Sequence, residues 1–96
     1  MTILHIEHAT KDFDTWKAAF DRDPAERARS GVRRYVISRP VDQPLYVLID
    51  LEFDDRKRAS AFLEAMEAIW QTPRATAVLG GAIQTRLLEQ VEVKDL

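Results

Sequence analysis

Nine residues in the middle of the chain leave the least freedom. From Leu45 to Phe53 two kinds of position alternate without a break. Leu45, Val47, Ile49, Leu51 and Phe53 fall on one side of an extended chain; Tyr46, Leu48, Asp50 and Glu52 fall on the other. Strict period two over this length makes the segment a strand. One of its faces must pack on apolar groups. The other is mixed, neither free surface nor ordinary core.

The remaining elements are arranged around this strand. Thr2 to Ala9 reads as a first strand, because Ile3, Leu4 and Ile6 suit an extended chain and no helical stripe passes through them. Asp12 is placed to cap a helix that puts Phe13, Trp16, Ala19 and Phe20 on one face. Pro24 interrupts it. The run Asp23-Pro24-Ala25-Glu26 carries a cap, a proline at the first helical position and a glutamate three residues after the cap, which predicts a second short helical piece to Arg29. Gly31 stops that piece, and Val32 to Arg39 forms a second strand. Pro40 to Pro44 turns it back into the Leu45–Phe53 strand as a hairpin. Asp54 and Asp55 open a long helix with the stripe Ala59, Phe62, Leu63, Met66, Ile69 and Trp70. Thr72-Pro73 ends it and starts another turn or two, closed by Gly80-Gly81. Ile83 to Val93 is the last strand.

The order strand, helix, strand, strand, helix, strand has two crossovers. Right-handed crossovers in that order give an α+β fold: a ferredoxin-like, four-stranded antiparallel sheet with helices on one face. The other face, with Tyr46 and Leu48, is left open. A second copy of the chain is the natural cover, so a homodimer is expected. One domain of 96 residues accounts for everything, with no repeat and no linker.

Composition then removes several functions. Fourteen Lys and Arg against sixteen Asp and Glu give a net charge of −2, which argues against nucleic-acid binding. The absence of cysteine excludes disulfides, thiolate metal sites and a cysteine nucleophile. No apolar run is longer than Leu45 to Ile49, and the start shows no signal segment, so no membrane partner and a cytoplasmic location are expected. His5 and His8 are three apart on a strand and point to opposite faces, so no metal site is expected from them. One of the two faces the helices or their rim and the other the open face; the residues do not say which. A histidine facing a cavity would indicate an enzyme, and one satisfied by protein groups a structural module. Asp50 and Glu52 share a face, where they either pair with arginines across an interface or contact a ligand. Between Arg22 and Arg39 six arginines oppose Asp23 and Glu26, an excess of four positive charges. Protection of an edge strand explains them better than an anion patch. The Trp16, Phe62 and Trp70 stripes read as helix-to-sheet packing.

His8, the run Asp12-Phe13-Asp14-Thr15-Trp16-Lys17-Ala18-Ala19-Phe20-Asp21, Gly31-Val32, Glu52-Phe53-Asp54-Asp55 and Ala61-Phe62-Leu63 together resemble small dimeric α+β barrel proteins. These are relatives of the antibiotic-biosynthesis monooxygenases and polyketide cyclases. The resemblance implies a homodimer of ferredoxin-like chains with a pocket for a small hydrophobic, often aromatic, molecule. It implies cofactor-independent oxygenation or cyclisation, with no cofactor, if the protein is an enzyme. A non-catalytic ligand-binding or dimerisation module is the alternative. Such chemistry needs a base and a shielded apolar pocket. His8 matches the histidine at the end of the first strand and is the favoured base over His5, placed with the open-face cavity. Glu52 matches the acid before the aromatic, and it or Tyr46 orients the base. The ligand contacts are then His5, Tyr46, Leu48, Asp50, Trp16 and Phe20.

Overall fold

The alternation at Leu45–Phe53 becomes the strand Tyr46–Phe53 (β3), hydrogen-bonded on both sides in a computed structural model that describes all residues Met1–Leu96. It runs antiparallel to β1 (Thr2–Ala9) and β2 (Val32–Ser38). The fourth strand, β4 (Gln84–Glu89), lies on the far side of β1, so the order across the sheet is β2-β3-β1-β4. The helices are α1 (Phe13–Asp21), α2 (Arg56–Trp70) and the single turn α3 (Pro73–Thr76). This is the ferredoxin-like arrangement expected from the order of elements.

Side-chain chemistry sets the helix starts. The Asp12 carboxylate accepts from the Thr15 backbone N–H at 2.9 Å and from the Thr15 hydroxyl at 2.6 Å. Asp55 does the same for the Arg58 N–H at 2.8 Å, and the Thr72 hydroxyl caps α3. The core lies between sheet and helices. Leu4 and Ile6 of β1 meet Val47, Ile49, Leu51 and Phe53 of β3, with Trp16, Ala59 and Phe62 supplied by the helices. A bulge between Val32 and Arg34 resets the alternation of β2, so Arg34 lies beside Glu52 while Tyr35 and Ile37 face the helices. Arg33, left out of the ladder, forms a two-pronged ion pair with Asp54.

Four expectations change. No helical piece follows Pro24: residues 22–31 form successive turns, and Asp23 and Glu26 take left-handed φ values of 54° and 50°. The residue before a proline cannot sit comfortably in the right-handed helical region, and Asp tolerates the left-handed one. The Asp23 side chain, instead of capping a helix, accepts from the Arg27 N–H at 2.8 Å, and the loop closes at Gly31, φ +102°. Leu45 lies outside β3 and is half exposed, because its carbonyl serves Thr10 rather than a strand neighbour. The last strand stops at Glu89 instead of Val93, and Gln90 donates to the Met1 carbonyl at 3.0 Å. Finally, α3 ends at Thr76, four residues before the glycines.

Candidate functional site

Alternation along β1 assigns the histidines. Leu4, Ile6 and His8 point to the helices, and His8 is 1% exposed; Ile3, His5 and Glu7 point to the open face. His8 therefore belongs to the helix side, not to an open-face cavity, because it continues the buried Leu4–Ile6 row.

On the helix side the sheet and α1, α2 and α3 do not close fully. They leave a cavity of about 360 Å³. Its floor is Ile6 and His8 of β1 with Ile49 and Leu51 of β3. Trp16, Ala19 and Phe20 of α1 form one wall, and Phe62, Met66, Ile69 and Trp70 of α2 the other. The exposed lining residues Arg22, Pro24, Thr72 and Arg74 mark a mouth between the end of α1 and the start of α3. Apart from that rim, His8 and Arg27, the lining is apolar. A space this large is far beyond the packing voids of ordinary cores and within the size range of small-molecule sites.

His8 is the one ionisable group on the floor. Its Nδ1 donates to the Ala9 carbonyl at 2.8 Å. A carbonyl can only accept, so the proton sits on Nδ1 and Nε2 keeps its lone pair. Burial lowers the pKa of His8 below its ordinary value, outweighing the Ala9 hydrogen bond that raises it. The neutral ring lies edge-on to Trp16, 5.7 Å between centroids. Trp16 in turn packs on Phe13 and Phe20, and Phe20 on Tyr35, giving α1 an aromatic seam against the sheet. The group is an uncharged base in an apolar enclosure.

The open face holds the other expected site residues in a different chemical state. His5 Nδ1 lies 2.6 Å from Asp50 and Nε2 2.8 Å from Glu7. Both partners are acceptors, so both ring nitrogens carry protons. Partial burial lowers its pKa, but the hydrogen bonds and charges of Glu7 and Asp50 win and raise it. The Tyr46 hydroxyl donates to Glu7 at 2.8 Å, and Glu52 pairs with Arg34. Glu7 is held below the usual carboxylate range by His5 first and Tyr46 second. Each of these side chains has a partner, while Arg86, across from His5 on β4, makes no ion pair. His8, Trp16 and Phe20 are thus brought together, and His5, Tyr46, Leu48, Asp50 and Glu52 are brought together, but the sheet separates the sets. Neither Glu52 nor Tyr46 orients His8.

The arginine run also divides. Arg33 and Arg34 pair with Asp54 and Glu52, Arg29 with Glu26, and Arg39 lies 4.2 Å over the Phe13 ring. Arg22 and Arg27 line the cavity, joined by Arg74 from α3. Trp70, read from sequence as packing, is only half buried because it faces the cavity. Arg74, Met66 and Thr72 had no sequence signal of their own as lining residues.

No protein-family model and no curated protein matches the sequence. Solved structures match over nearly its full length. SnoaB, a cofactor-independent oxygenase from Streptomyces nogalater, superposes with a TM-score of 0.76 at 14% identity, covering 96% of this chain and 94% of that one. A protein of Nitrosomonas europaea assigned to antibiotic biosynthesis monooxygenases gives 0.71 at 17%, covering 96% and 100%. A dimeric ferredoxin-like protein from an uncultured marine organism gives 0.66 at 9%, covering both chains completely. With the sheet order and the placement of the helices, these matches show that the chain has the ferredoxin-like fold of the antibiotic biosynthesis monooxygenase-type proteins.

Proposed function

We propose that the protein binds a small aromatic molecule in the cavity between sheet and helices and oxidises it with dioxygen, without a cofactor, as a homodimer. The observation that carries this reading is the largely apolar cavity of about 360 Å³ with the neutral His8 as the one ionisable group on its floor. His8 Nε2 takes a proton from a methylene flanked by aromatic or carbonyl groups, where the carbanion is delocalised. The carbanion supplies the electrons that form a carbon–oxygen bond to dioxygen. The resulting hydroperoxide loses the second methylene hydrogen and splits its O–O bond, leaving a ketone and one water. The sum is R–CH2–R′ + O2 → R–CO–R′ + H2O. An apolar enclosure suits the step, since it excludes the water that would reprotonate the carbanion. The fold shared with a cofactor-independent oxygenase supports the reading further. The ion-paired open face, with Leu48 and Val36 among its charges, is the proposed contact with the second copy.

Anthrone, whose central methylene lies between two aryl rings opposite a carbonyl, is a suitable probe. The protein is expected to accelerate its conversion to anthraquinone, with one dioxygen consumed per product. His8→Asn keeps an amide donor for the Ala9 carbonyl and removes the base; it should bind anthrone and lose the acceleration. Equal rates for the variant and the parent would overturn the role of His8. Binding with no turnover by the parent would favour the non-catalytic module.

A further inference from the structure

We infer that the natural ligand of this cavity is an acid: an aromatic or polycyclic molecule carrying a carboxylate that seats at the mouth between Arg22 and Arg74. The inference rests on the cavity being a ligand site and adds the charge of what fills it. The lining holds three arginines and no aspartate or glutamate. They come from three separate places: the C-terminal end of α1, the loop after it and the first turn of α3. Arg27 is already engaged. It donates to the Phe20 carbonyl at 2.8 Å, stacks 3.9 Å over the Phe20 ring and lies 3.6 Å from Asp23. Arg22 and Arg74 make no side-chain hydrogen bond or ion pair. The acids nearest Arg22 in sequence are taken, Asp21 by Lys17 and Asp23 by Arg27.

Two unpaired guanidinium groups at the rim of a largely apolar cavity present a positive mouth. A guanidinium offers paired N–H donors matched to a carboxylate, and the adjoining low-dielectric surface strengthens the attraction. The polar ends of the site are also chemically distinct: a buried neutral base inside, free cations outside. A ligand satisfying both has an apolar body with its acid outward and its reacting carbon inward.

Anthracene-9-carboxylate and anthracene-9-carboxamide share size and shape and differ in charge. Binding of each is read by quenching of Trp16 and Trp70, both in the cavity wall. The carboxylate should bind about tenfold more tightly than the amide, an advantage that added salt erodes. The double variant Arg22→Gln/Arg74→Gln should erase that preference and leave the amide's affinity unchanged. Both residues are exposed and unpaired, so the fold does not depend on them. Equal affinities in the parent, or a preference that survives the double variant, would overturn the inference while the cavity reading stands. Quenching by neither probe would remove the cavity reading and the inference with it.

Discussion

His8 and His5 occupy one strand and titrate in opposite senses, which makes them separable by experiment. In the folded chain burial holds His8 below its ordinary value near 6.5, so the unfolded chain binds that proton more readily. Its contribution to stability is complete above pH 6.5 and is lost as pH falls towards the lowered pKa. For His5 the carboxylates raise the folded value. Its contribution is complete below 6.5 and is lost as pH rises through the raised pKa. Urea unfolding of the parent and of each variant across this range tests both signs. His8→Asn should lose less stability than the parent on acidification, and His5→Gln less on alkalinisation. A parent-like profile for His8→Asn would mean that His8 is not held neutral. The sequence already required the two rings to point apart. It did not assign their faces, because each row sets apolar residues beside its histidine, Ile3 with His5 and Leu4 and Ile6 with His8.

Elements were most legible where a side chain has a local job. The caps Asp12 and Thr72 stand where their spacing put them, and of the two acids expected at the start of α2 it is Asp55 that caps it; each satisfies an N–H three residues ahead. Segments whose geometry depends on distant partners were not legible, such as the 22–31 loop and the end of β4. The stripe of α2 illustrates both cases. Phe62 is buried, 5.5 Å from Phe53, and Phe62→Ala should cost about 3–5 kcal/mol. Trp70 borders empty space, so Trp70→Ala should cost clearly less; equal shifts in thermal midpoint would contradict the cavity wall. The two glycines before β4 make a second paired test. A Cβ on Gly80 would meet the Thr10 backbone at 2.8 Å, where the Gly80 N–H also donates to the Ala9 carbonyl at 2.9 Å. One on Gly81 would meet nothing within 4 Å. Gly80→Ala should therefore destabilise by about 1–3 kcal/mol, and Gly81→Ala by much less. Similar midpoints for the two would mean that this loop does not clamp the end of β1.

At the scale of the whole molecule, the sheet has one covered face and one uncovered, and that imbalance was readable in Leu45–Phe53 alone. The cationic mouth was not, since Arg22, Arg27 and Arg74 meet only after folding. The uncovered face sets Ile3, Val36, Leu48 and Leu88 among paired charges, and Val36 and Leu88 are 42% and 39% exposed. His5 lies between Glu7 and Asp50, Arg34 pairs with Glu52, and Arg86 stands across from His5 on β4, so three cations balance three carboxylates on this face. Two such faces can meet without stranding a charge, gaining apolar burial that a 96-residue chain otherwise lacks. Sedimentation at micromolar concentration should give twice the chain mass. Leu48→Lys places a cation between Glu7 and Asp50, which a single chain accommodates and a packed apolar contact does not. That variant should sediment as one chain with its far-ultraviolet spectrum unchanged. It should still quench with anthracene-9-carboxylate, because the cavity lies on the helix side of the sheet and Leu48 on the other. A parent that sediments at the mass of a single chain would overturn the dimer, and a Leu48→Lys variant that remains dimeric would move the interface to another surface.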